Sequence, residues 1–164
     1  MKRRQRRPPS LLQQSTKLGA IRRCGLYALV AALAATGAAW LWLRVGRADD
    51  ALPSPLEPWM MKLHGAAAML LIYLSGTMLF GHMVNAWRRG HNHGSGAIAA
   101  ATLLLLGLSG YGLYYFGGDS LRRGTEWLHW GAGFALPLLL AWHVRRGRRA
   151  VARASRNEPL LPPL

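Results

Sequence analysis

Cysteine and negative charge are both scarce in this chain, which has one cysteine and only six Asp and Glu residues against 21 Lys and Arg in 164 residues. A single cysteine, Cys24, excludes an intramolecular disulfide, and by itself it reads as a small buried residue. The shortage of carboxylates leaves a formal net charge of +15, an excess that suits either a nucleic-acid binder or a membrane protein. No recognition fold accompanies the basic residues, so anionic lipid is the better partner for them than RNA or DNA. Charge is missing altogether from long parts of the chain. Four apolar runs, Cys24 to Leu43, Leu63 to Trp87, Gly96 to Phe116 and Trp127 to Val144, are almost free of lysine, arginine and carboxylate.

Each run approaches or exceeds the eighteen or so residues that make a spanning helix the default, because about 20 residues at about 1.5 Å rise cross a hydrocarbon core about 30 Å thick. The expected fold is all-α, an integral membrane four-helix bundle of up-and-down topology, with transmembrane helices near 24–44, 59–87, 96–116 and 125–146. A basic arm (1–23) precedes this domain (24–147), and a basic, Pro-rich tail (148–164) follows it. The first run resembles a secretory signal in its basic leader. Its twenty uncharged residues and the weak cleavage pattern after it make it a retained anchor. Trp59, Trp87, Trp127, Trp130 and Trp142 fall near the ends of the other runs, where amphipathic rings favour the headgroup layer.

Basic residues outside the runs set the expected orientation. Lys2, Arg3, Arg4, Arg6, Arg7, Lys17, Arg22 and Arg23 lie in the arm, Arg88 and Arg89 in the middle loop, and Arg145, Arg146, Arg148, Arg149, Arg153 and Arg156 in the tail. With four spans these segments share one side, and the positive-inside rule makes that side the cytoplasm. The expectation is a multi-pass protein of the bacterial inner membrane with both termini cytoplasmic. Asp49, Asp50, Glu57, Asp119 and Glu126 then fall in the two outer connections, a Pro-rich linker and the short GGDSLRRG turn, neither of which resembles a catalytic loop.

Histidines interrupt two of the apolar runs. His64 and His82 are eighteen residues apart, which at about 100° per residue returns to the starting direction; His129 and His143 are fourteen apart and differ by about 40°. Each pair shares one face of its helix. Runs two and four must be parallel, so His64 and His129 are expected near the outer surface and His82 and His143 near the inner. Four imidazoles at two depths on parallel helices are what two stacked cofactors with bis-histidine ligation require. Gly107, Ser109, Gly110 and Gly112 of the third run, with Gly65, Gly76, Gly81, Gly131 and Gly133, would let flat rings approach the backbone. They equally permit tight helix packing.

The order of these segments carries a resemblance. KLHGAAAML with GHM eighteen residues after its histidine, GLSGYGLYYFGG, and EWLHWGAGF with AWH at fourteen resemble the four-helix haem-binding cytochrome b modules of bacteria, in the broad cytochrome b561 style. The resemblance covers residues 59 to 147, and the first helix matches only as a generic span. It implies two b-type haems, one at the minimum, and electron movement across the membrane. His64 and His129 would ligate the outer iron, and His82 and His143 the inner.

Register raises one difficulty, since eighteen residues rise about 27 Å and fourteen about 21 Å, so His82 falls about 6 Å beyond the level of His143. Tilt, or a kink at Pro137, would absorb this; Met78, fourteen residues after His64, is the alternative inner ligand. His91 and His93 in GHNHG lack further close ligands and read as a solvated turn. Tyr111, Tyr114 and Tyr115 would bound a quinone pocket or, more simply, form an interfacial aromatic belt. The expected function is electron relay between a quinone or quinol pool and a partner redox protein, as an electron-transfer subunit of the respiratory chain and not as a self-contained enzyme. The competing expectation is a haem-free bundle acting as a proton-coupled or metal transporter, or as an assembly subunit.

Overall fold

The structure, a computed structural model, describes residues 19–48, 50–88 and 93–156. Four long helices account for nearly all of them: α1, Ala20–Val45; α2, Leu56–Arg88; α3, His93–Tyr115; and α4, Asp119–Arg156. No strand occurs among the described residues. α1, α2 and α3 are each long and apolar enough to cross a membrane. α4 is the longest at 38 residues, but its apolar stretch is diluted by His129, His143, three tryptophans and Pro137.

Several helix limits lie beyond the expected ones. α4 begins at Asp119, immediately after Gly118, whose φ of 87° is a left-handed conformation that glycine adopts without steric cost. Asp119 then lies in the first turn, where the helix dipole favours a carboxylate, and Arg122 reaches Glu126 one turn on at 3.7 Å. The expected GGDSLRRG turn is thus mostly helix. At its other end α4 continues to Arg156, through residues read from sequence as tail. Alanine and arginine dominate there, both good helix formers, and no proline or glycine interrupts 148–156. The helix also runs through Pro137 without a break.

Close backbone packing pairs α1 with α2 and α3 with α4, and α1 touches α4 more lightly. The result is two antiparallel hairpins whose centre holds Val30, Leu71 and Leu136, with Leu26, Leu29, Leu33, Leu103, Leu106 and Leu140 around them. Leu71 and Leu136 each follow the first histidine of their helix by seven residues, so this apolar plug lies between the two histidine levels. The outside is apolar as well: Met69, Tyr73, Phe80, Leu104, Leu108 and Leu138 are all exposed. An apolar exterior around a small core suits lipid, which exacts no penalty for exposed leucine. Cys24, expected to be buried, is exposed on this outer surface, while its neighbour Gly25 faces Leu74 of α2.

The α1–α2 connection is held by ions. Arg47 Nη1 donates to both Glu57 oxygens at 3.1 and 3.2 Å, and the Ser54 amide donates to Glu57 Oε1 at 3.0 Å. Arg44 reaches Glu126 at 3.8 Å, tying the end of α1 to the start of α4.

Candidate functional site

Two imidazole pairs bridge α2 and α4, which otherwise make little close backbone contact among the described residues. His64 and His129 form the first tier, with ring centres 6.2 Å apart and planes at 63°. His82 and His143 form the second, at 6.3 Å and 85°. The pairing is the one that facial alignment along each helix predicts.

These spacings exclude some arrangements. A five-membered ring with bonds of about 1.33 Å has a radius of about 1.1 Å, so nitrogens of the two rings in either tier stay about 4 Å apart at closest. That is too far for a direct hydrogen bond. One atom bonded to both nitrogens at about 2.0–2.1 Å would put the ring centres about 6.3 Å apart, the separation seen in both tiers.

Hydroxyl groups orient three of the four rings. Thr36 of α1 spends its proton on the Ala32 carbonyl at 2.7 Å, so its oxygen accepts the His64 Nδ1–H at 3.0 Å. Ser109 of α3 donates to the Leu106 carbonyl at 3.3 Å and accepts from His129 Nδ1 at 2.9 Å. Ser95, only 1% exposed, stands 2.9 Å from His143 Nδ1. For His64 and His129, whose Nδ1–H is held from outside, Nε2 is the nitrogen that carries the lone pair, which is the arrangement typical of metal-bound histidine.

Each hydroxyl is followed by a glycine that faces the same ring. A Cβ at Gly37 would lie 3.3 Å from His64 Cε1, one at Gly110 would lie 3.4 Å from His129 Cε1, and one at Gly96 would lie 3.5 Å from His143 Cε1. Thr36–Gly37, Ser95–Gly96 and Ser109–Gly110 are therefore three copies of one device, a hydroxyl to hold the ring and a gap to admit it. Ser95 and Ser109 are fourteen residues apart, as are His143 and His129, so the antiparallel α3 and α4 hold the same register at both tiers. Of the glycines singled out from sequence, only Gly110 faces a histidine. Beside Gly65, Gly76, Gly81, Gly107 and Gly131 a Cβ would meet nothing within 4 Å, so these five face open space and not a neighbouring ring. Ser109 lay among the small residues noted from sequence; Thr36 and Ser95 did not, and the hydroxyl–glycine dipeptide they share is a weak signal, since Ser75–Gly76 carries it without facing a histidine.

The expected mismatch at the second tier meets a local solution. α2 is α-helical over Leu56–Met78, π-helical over Leu79–Val84 and α-helical again over Asn85–Arg88, and His82 sits inside the π segment. A π turn holds more residues per turn, so the segment absorbs part of the excess length between His64 and His82 and redirects the second ring. Met78 is the last residue before it and is buried; the side chain that faces His143 is that of His82.

Other candidates separate from the tiers. His93 stacks on Trp87 at 4.7 Å, and its Nε2 bonds the Trp87 carbonyl; His91 lies outside the described residues. Tyr111 and Tyr115 stack on each other at 4.4 Å, and with Tyr114 they are exposed, as members of an interfacial belt would be. No three His, Cys, Asp or Glu side chains gather to hold a metal among the described residues. Comparison with protein-family models, with curated proteins and with solved structures finds no match to this chain.

Proposed function

We propose that this protein is a b-type membrane cytochrome that relays electrons between a quinone or quinol pool and a partner redox protein, through two haems on the pairs His64–His129 and His82–His143. The observation that carries the reading is the repeated imidazole separation of 6.2 and 6.3 Å, matched at both tiers. The donor count supports it. A bare zinc-type ion needs three or four protein ligands, whereas a haem iron, already held by its macrocycle, would need only the two histidines of a tier.

When bound, haem iron would supply reversible one-electron chemistry. The chain's own residues do the rest. His64 and His129 would hold one iron, and His82 and His143 the other. Thr36 and Ser109 hold Nδ1–H of His64 and His129 and raise ligand basicity, and Ser95 stands against Nδ1 of His143. Val30, Leu71 and Leu136 keep water from the space between the tiers, which fourteen residues of α4 set about 21 Å apart. The clustering of arginine at the second-tier end makes that end cytoplasmic, in the inner membrane of a bacterium.

The test is the reduced-minus-oxidised spectrum of the purified full-length protein after haem-sufficient expression. A b-type spectrum with two haems per chain is the expected result. Colourless, folded protein would overturn the reading.

A further inference from the structure

A second feature lies apart from the histidine tiers. Tyr27, Val30, Ala31 and Ala34 of α1 and Pro137, Leu140, Ala141, Val144, Arg145 and Arg148 of α4 line a cleft of about 410 Å³. The α4 residues recur at three- and four-residue steps and so form one stripe, which His143 does not join. Ala31 and Ala34 make the α1 wall shallow, and Pro137 lines the α4 side. The wall is apolar along its length except at one end, where both arginines stand. Neither arginine has a carboxylate within ion-pair distance among the described residues, in contrast to Arg44, Arg47 and Arg122 at the opposite end of the bundle.

The dimensions identify an occupant. From Arg148 to Pro137 is eleven residues, about 16 Å along the helix, and one leaflet of a bilayer is about 15 Å of hydrocarbon. A cleft that runs one leaflet deep, apolar within and doubly cationic at the headgroup level, suits one acyl chain and the anionic headgroup of a phospholipid. We infer that the α1–α4 cleft binds a single anionic phospholipid, its acyl chain along Val30, Ala34 and Leu140 and its phosphate on Arg145 and Arg148. This inference is independent of the haem assignment and needs only that the bundle spans a bilayer.

Native mass spectrometry of the detergent-purified full-length protein tests it, with dioleoylphosphatidylglycerol or dioleoylphosphatidylcholine added in separate samples. Two cation–headgroup contacts of about fivefold each predict about a 25-fold preference for the anionic lipid. R145Q/R148Q should remove that preference, and R22Q/R23Q, basic residues at the same end but outside the cleft, should retain it. Ala31→Trp, which fills the cleft, should lower retention of both lipids. Equal binding of the two lipids by the wild type, or equal losses in the two double variants, would overturn the inference. So would loss of bound haem from R145Q/R148Q with lipid retention unchanged, which would assign the arginines to a cofactor carboxylate instead.

Discussion

Ser109→Ala removes one oxygen atom and nothing else, and its effect should be confined to one tier. The hydroxyl accepts the His129 Nδ1–H at 2.9 Å from the buried face of α3, and alanine fits in its place without a clash. The nitrogen is then left with a polar N–H facing a methyl group, at a cost of about 1–3 kcal/mol. Loss of an outer partner of a metal-bound histidine lowers affinity about 10- to 100-fold, which is the same magnitude reached from the other direction. Titrating haemin into cofactor-free S109A, and following the two tiers by their separate midpoint potentials, should show one site weakened by that factor. The other tier, about 21 Å away along α4, should stay within twofold. Ser95→Ala should give the mirror image, weakening the His82–His143 tier alone. Thr36→Val acts on the same pair as S109A from the opposite helix, so the double variant should deviate from additivity, whereas S95A/S109A should not. If S109A weakens both tiers equally, or neither, the claim that these hydroxyls hold the rings is refuted.

His64→Ala and His129→Ala should each abolish the same haem and leave the other, seen as half the pyridine haemochrome absorbance; loss of different haems would break the pairing. His82→Ala should abolish the second-tier haem while Met78→Leu leaves its spectrum unchanged, which the difference spectra of the two variants will decide. Gly37→Val places a branched side chain where even a Cβ would stand 3.3 Å from His64 and should lower first-tier occupancy, whereas Gly65→Ala, with nothing within 4 Å, should leave it intact. Glu57→Ala strands Arg47 and the Ser54 amide and should reduce thermal stability by about 1–3 kcal/mol without moving either haem spectrum, as a melting curve and an absorption scan of the same sample will show.

The four helices and the histidine partners were legible because both depend on one periodicity. Apolar runs of spanning length report themselves, and angular arithmetic along a helix places His64 over His82 and His129 over His143. Thr36 and Ser95 were not legible, because a hydroxyl in an apolar helix ordinarily bonds the carbonyl one turn back, as Thr36 also does, and the sequence does not show what lies across the interface. The first helix looked like a generic span for the same reason, although it supplies the His64 partner. The π segment escaped because GHM has no composition that distinguishes a wider turn from a regular one; only the excess of four residues between His64 and His82 over the spacing on α4 hinted that something must give. The helical ends of α4 were missed since a water-exposed helix has no need of the apolar pattern by which spans are found.

α4 bears one imidazole of each tier on a single uninterrupted rod that continues to Arg156, about 20 Å past His143. A partner that grips the projecting end and turns it therefore moves His129 and His143 together. α2 is built otherwise, its second imidazole set within a stretch of wider π winding. Mechanical load would thus reach both imidazole tiers in step through one helix, while the other helix lets each yield on its own.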